Sequence, residues 1–213
     1  MKKKTIFLLV LIFVLVVVDQ IFKIYIKTHF YLGEEINIIG QWLKLHFIEN
    51  EGMAFGMSFG GIWGKFFLTS FRIVAAGLIA YICYHMIKKN VSWLLLTFTA
   101  MIFAGAVGNI IDCVFYGKMF SESVYFASIA TIFPEGGGYA TWFQGRVVDM
   151  IQLDLFTIHF PATFPFLGGQ IMSFFPAVFN LADAWITIGI FAMLIFCYKQ
   201  LSQFLASFDK KEE

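Results

Sequence analysis

Charge is scarce in this sequence: Asp, Glu, Lys and Arg together make up 14% of 213 residues, with a net balance of only +1. That excludes the basic stripe interleaved with exposed aromatics by which a protein holds nucleic acid, so no nucleic-acid partner is expected. Cysteine is scarce as well. Cys83, Cys113 and Cys197 are odd in number, widely spaced, and placed in or at the ends of apolar runs. Such a set excludes a disulfide framework and a thiolate metal site, and reads as packing. The histidines His29, His46, His85 and His159 are isolated, there is no H-E-x-x-H pair, and no G-x-S-x-G nucleophile elbow appears. Neither a metal nor an organic cofactor is expected.

What is present instead is apolar surface. Hydrophobic residues make up 60% and aromatics 19% of the chain, with 28 Phe, far beyond a water-soluble domain. Uninterrupted runs near twenty residues fit a hydrocarbon layer roughly 30 Å thick. Met1 to Lys4 followed by Thr5 to Val18 mimics a secretory signal, but no small-residue cleavage site follows and the run continues through Asp19, Gln20 and Lys23 to Ile26. The sequence therefore predicts an all-α membrane protein forming one integral membrane domain over residues 1–213. Its four spans are at about 5–26, 66–87, 92–115 and 178–198, with outer loops at 27–65 and 116–177. Lys2, Lys3, Lys4, Lys88, Lys89, Lys199, Lys210 and Lys211 all fall on one side. By the distribution of basic residues that side is cytoplasmic, with both termini on it.

Both outer loops contain strand-like stretches. In Gln41 to Ile48, Leu43, Leu45 and Phe47 alternate with Lys44 and His46; in Arg146 to Phe156, Ile151, Leu153 and Leu155 alternate with Gln152 and Asp154. This period-two pattern marks half-buried strands able to pair above the membrane. Between them Ser121 to Phe143, centred on P-E-G-G-G-Y-A, reads as a turn-rich mobile flap. Phe160 to Phe175 reads as an irregular piece at the interface.

The polar residues inside the spans converge on one depth. Asp19 and Lys23 lie in the outer half of the first helix, Asn109 and Asp112 near the outer end of the third, and Arg72 and Asp183 near the outer starts of the second and fourth. An ionisable group in a spanning helix costs roughly 2.5–3.5 kcal/mol at its centre, which favours a functional role facing protein or water. Blander readings exist: Asp19 with Lys23 as an i, i+4 ion pair, and Asn180 with Asp183 as a helix cap. In G-R-V-V-D-M, Gly145 to Met150, a strand ahead of Asp149 would return its carboxylate to the level of Asp183. Two close carboxylates cannot both ionise freely, so one keeps a proton, and the pair suits peptide hydrolysis without a metal. A proton-coupled transporter and a non-catalytic lipid-binding scaffold are the competing readings, disfavoured by only four spans, acids confined to one leaflet, and no paired broken helices.

With these residues in place the chain resembles signal peptidase II. The resemblance rests on D-Q-x-x-K at Asp19 to Lys23, N-x-G-x-A-F-G at Asn50 to Gly56, G-N-x-x-D at Gly108 to Asp112, V-V-D at Val147 to Asp149, and F-N-x-A-D at Phe179 to Asp183. It implies an aspartyl endopeptidase of the bacterial inner membrane whose active site faces the extracytoplasmic side. Such an enzyme cuts prolipoproteins N-terminal to a diacylglyceryl-modified cysteine. The resemblance assigns catalysis to Asp149 and Asp183. It assigns substrate holding or site shaping to Asp19, Lys23, Asn50, Gly52, Asn109, Asp112 and Asn180. It also implies a small β cradle, a short periplasmic helix, and peptide antibiotics of the globomycin type as inhibitors; membrane lipids are the expected surroundings and a monomer the expected state. Two departures stand out. Cys113 occupies a position where many family members carry arginine, leaving Arg146 or Arg72 to supply the cation, and the segment from Tyr116 to Gly145 is longer than the family leads one to expect.

Overall fold

The computed structural model describes residues 2–51, 61–166, 168–174 and 177–209. The long helices form where apolar runs leave the backbone no other partner than itself. These are α1 (Lys2–His29), α2 (Gly61–Lys88) and α3 (Trp93–Ile111). Ser92 caps α3, its Oγ accepting the Leu95 N–H at 3.2 Å. Helix α3 is central, packed against α1, α2 and a later helix α5 (Leu181–Phe196). Small residues permit the closest of these approaches: a Cβ on Gly105 would lie 2.2 Å from the Ala182 carbonyl oxygen of α5.

Among the described residues three helices are long and apolar enough to cross a membrane, and there is a fourth span if the bent pair α5 and α6 (Tyr198–Asp209) is taken as one. The boundaries of that fourth span differ from the sequence expectation at both ends. Val178 and Phe179 form a short strand, because Asn180 starts the helix with a capping box. At the other end α5 stops at Phe196 and the chain turns through 89°. From Tyr198 onward Lys199, Gln200, Ser202 and Gln203 interrupt the apolar run, and the helix lies sideways, burying Phe204 against Met86, Leu95 and Leu96. The third span also changes character: α-helical winding ends at Ile111, and Asp112–Tyr116 form a wider π turn leading to the single turn α4 (Gly117–Met119). Such turns are frequently found at functional sites.

Outside the helices lies a four-stranded antiparallel sheet in the order β1-β2-β3-β6. Its members are β1 (Glu35–Ile39), β2 (Leu43–Asn50), β3 (Val147–Leu153) and β6 (Val178–Phe179). The two strands expected from alternation do pair, Leu45 opposite Ile151 and Ile48 opposite Asp149, with a bulge between those pairs. Phe47, Val148 and Met150 seal one face of the sheet against Ile26, Phe30, Tyr116 and Phe120.

Two loop expectations are corrected. The piece expected to be irregular around Phe160 contains a hairpin of β4 (Phe156–His159) and β5 (Ile171–Phe174), since its Pro and Gly residues gather in the turn. The segment from Ser121 to Phe143 is packed rather than a free flap. Ala130 and Ser123 are buried, Tyr139 packs onto the core, and a Cβ on Gly138 would lie 2.1 Å from the Gly117 carbonyl oxygen. Of its glycines only Gly138 serves close approach; a Cβ on Gly136 or Gly137 would meet nothing within 4 Å, and Gly137 takes a positive φ of 85°. Among the described residues no helix other than the turn α4 stands in the outer loops.

Candidate active site

Strand β3 carries Asp149 to the top of α5, where the first helical turn holds Asp183. The side chain that joins them is Asn180. Its Nδ2 donates to Asp149 Oδ1 at 2.6 Å and its Oδ1 accepts the Asp183 N–H at 2.9 Å. Asp183 returns the favour through Oδ2, which accepts the Asn180 N–H at 3.5 Å. The helix cap and the functional reading of this motif are therefore the same set of bonds. Asn109 on α3 completes the link, with Nδ2 donating to Asp183 Oδ1 at 2.7 Å and Oδ1 accepting from Asn180 at 3.2 Å.

Asp149 is 1% exposed. Burial pushes its carboxyl up to about 7, and the negative charge of Asp183 adds to that. Hydrogen bonds from Asn50 and Asn180 and the Lys23 charge oppose the rise. Asn50 Nδ2 reaches Asp149 Oδ2 at 3.1 Å. This is the signature of a carboxyl that holds a proton near neutral pH beside a second carboxyl.

Beneath the pair lies a sealed ionic layer. Lys23 Nζ sits 3.0 Å from Asp19 Oδ2, 2.8 Å from Asp112 Oδ2 and 2.9 Å from Asn109 Oδ1, with no exposed surface. Both carboxylates also bind backbone. Asp19 accepts the Ala182 N–H at 2.9 Å at the start of α5, and Asp112 accepts the Val148 N–H at 3.3 Å, one residue before Asp149. Asp19, Lys23 and Asp112 thus hold the elements that carry the two candidate carboxyls. The i, i+4 ion pair expected within α1 exists, as part of this larger network. Gln20 belongs to it too, donating to Asp112 Oδ1 at 3.0 Å and accepting from Tyr116 at 3.1 Å.

The remaining sequence candidates separate. Asn50, Asn109 and Asn180 converge on the carboxyl pair. Gly52 lies outside the described residues. The Arg146 guanidinium meets Glu49 at 3.1 Å, Glu122 at 3.2 Å and Glu51 at 3.4 Å. Arg72 Nη1 instead reaches Cys113 Sγ at 3.0 Å, at the position that departs from the family pattern. Lys27, Glu49 and Ser123 form a second buried polar cluster that the sequence did not single out. Lys27 carried a signal, standing four residues after Lys23 on the same face of α1; Glu49 and Ser123 carried none.

An apolar cavity of about 300 Å³ opens along β2, β3 and the start of α5, lined by Phe22, Ile38, Leu43, Leu45, Met150, Ile151 and Leu181 among others. Ile151 lies two residues beyond Asp149, so strand alternation turns it to the same face.

Similarity to known proteins extends over most of the chain. The family model described as signal peptidase (SPase) II matches residues 11–199. A lipoprotein signal peptidase of Porphyromonas gingivalis is 47% identical over 189 residues, covering 88% of this chain and 80% of that protein. Another, from Amoebophilus asiaticus, is 36% identical over 179 residues, covering 82% and 70%. A solved bacterial membrane enzyme shares the fold with a TM-score of 0.58 at 23% identity, covering 92% of this chain and 90% of its own.

Proposed function

The chain belongs to the signal peptidase II family, and from that premise we propose that it is an integral membrane aspartyl endopeptidase that removes signal peptides from prolipoproteins, cutting N-terminal to the diacylglyceryl-modified cysteine. The observation that carries the aspartyl reading is Asn180, which bonds to both Asp149 and Asp183 within a buried site.

In this reading Asp149, buried and held near neutrality, keeps the shared proton, and Asp183 at the first turn of α5 carries the charge. Asp183 takes a proton from water as the water oxygen attacks the scissile carbonyl, while the Asp149 proton passes to the developing oxyanion. Collapse of the tetrahedral intermediate returns that proton to Asp149 and moves the proton on Asp183 to the leaving amine. The singly protonated pair is the active form. Turnover therefore falls as pH rises through about 7, where Asp149 loses its proton; a rate that stays level to pH 9 would contradict the assignment.

The apolar cavity along β2 and β3 gives an acyl chain of the substrate a berth while the peptide bond meets water. Arg72, standing at Cys113, supplies the cation that the usual arginine would have brought. The protein crosses the bacterial inner membrane four times as a single-domain monomer, with both termini cytoplasmic. The sheet then forms a cradle on the extracytoplasmic side and is the surface on which globomycin-type peptides compete. Purified protein mixed with a diacylglyceryl-modified precursor peptide and its unmodified twin tests the reading. Two fragments are expected from the first substrate only; no fragments from either would overturn it.

A further inference from the structure

Lys27 is the second lysine of α1 with no exposed surface, one turn beyond Lys23. Its ammonium is paired with Glu49 Oε1 and donates to Ser123 Oγ at 3.0 Å. Ser123 in turn donates to the same Glu49 oxygen at 2.8 Å, which closes a triangle. The other Glu49 oxygen accepts from Arg146 Nη1 at 3.1 Å. Lys27 and Arg146 both lie over the Tyr139 ring, at 5.0 and 5.1 Å from its centroid, and the Tyr139 hydroxyl accepts the Arg146 N–H at 2.7 Å. Burial raises the Glu49 carboxyl, but Lys27 and the bonds from Lys27, Ser123 and Arg146 outweigh it and hold the group below its ordinary range. Glu49 is therefore a charged hub joining α1, the segment after α4, and the lead-in to β3.

The next residue along β2 is Asn50. Side chains of successive strand residues point to opposite faces, so a clamp on Glu49 fixes the direction of Asn50 on the other face, where it donates to Asp149 Oδ2 at 3.1 Å. On the far side Glu51 meets Arg146 at 3.4 Å and Lys65 at 3.7 Å. Asn50 is thus bracketed by two acids, each anchored on basic residues from other elements. We propose that Glu49 is a positioning residue for peptide hydrolysis: its buried clamp of Lys27, Ser123 and Arg146 aims the Asn50 amide at Asp149. The proposal rests on the aspartyl reading above.

The variant Lys27→Met/Glu49→Leu removes both buried charges together, leaves the local net charge unchanged, and avoids stranding either partner. It should bind precursor with KM within twofold of the parent and lose roughly ten- to a hundredfold in kcat, the scale expected for misplacing a group at a reacting centre. Asp149 is faced by Asp183 from α5, Lys23 from α1, and the amides of Asn50 and Asn180. Loss of the Asn50 bond removes an influence that favours the charged form, so the alkaline limb of the kcat profile should move to higher pH. A merely structural role for Glu49 would leave that limb in place. Ser123→Ala loosens the same hub without removing a charge and should give a smaller loss, a few-fold in kcat, with the limb moving the same way. Glu122→Gln, at an exposed carboxylate on the same Arg146, should leave both unchanged. Parent-like kcat and pH profile in either the double variant or Ser123→Ala would overturn the proposal. An inactive parent, or full activity in Asp149→Asn, would instead overturn the aspartyl reading.

Discussion

Lys23 and Lys27 lie one turn apart on the same face of α1, and both are sealed from solvent, yet they are neutralised in different ways. Lys23 has two aspartates, Asp19 and Asp112, whose surplus negative charge is spread over the backbone N–H groups of Ala182 and Val148 and the amide of Gln20. Lys27 shares its one buried glutamate with Arg146, which is a quarter exposed and leans on Glu51 and Glu122 at the surface. The inner cluster is closed and satisfied by fixed donors, whereas the outer one is open on one side to water and side-chain rearrangement. The inner cluster therefore sets where the two candidate carboxyls stand, and the outer one tunes the amide bound to one of them.

The comparison predicts graded losses. Lys23→Met leaves Asp19 and Asp112 facing each other without a cation, and should destabilise by about 3–5 kcal/mol. Thermal unfolding in detergent is the readout. Lys27→Met should cost less, about 1–3 kcal/mol, because Arg146 and Ser123 still hold Glu49; equal losses for the two lysines would break the distinction. Arg146→Ala, at a partly exposed site, should cost at most about 1 kcal/mol. The arginines can also be separated by inhibition. Arg72→Ala should weaken a globomycin-type inhibitor roughly tenfold, as expected for losing a charged hydrogen bond, and Arg146→Ala should leave its affinity nearly unchanged. The reverse order would move the compensating cation from Arg72 to Arg146.

The inner cluster was legible in the sequence because each member sits where hydrophobic periodicity makes a polar residue conspicuous. Asp19, Lys23, Asn109, Asp112 and Asp183 interrupt apolar helices, and depth alone brings them to one layer. Strands β2 and β3 announced themselves by alternation, although each begins and ends a few residues from the expected limits. The outer cluster was hidden for the opposite reason. Glu49 stands next to last in an ordinary half-polar strand and Ser123 lies in a segment without periodicity, and a contact across 74 residues leaves no local trace. The turn at Cys197 was hidden as well, since Tyr198 to Asp209 gains its amphipathic character only at the end of a run that reads as one span.

The proposed catalysis requires Asp149 and Asp183 to act as a pair. Its most direct test is single-turnover cleavage of a diacylglyceryl-modified precursor peptide by Asp149→Asn and by Asp183→Asn, each shown to unfold at the parent's temperature. No fragment above background from either variant is the predicted result. Cleavage by either at a rate near the parent's would contradict it.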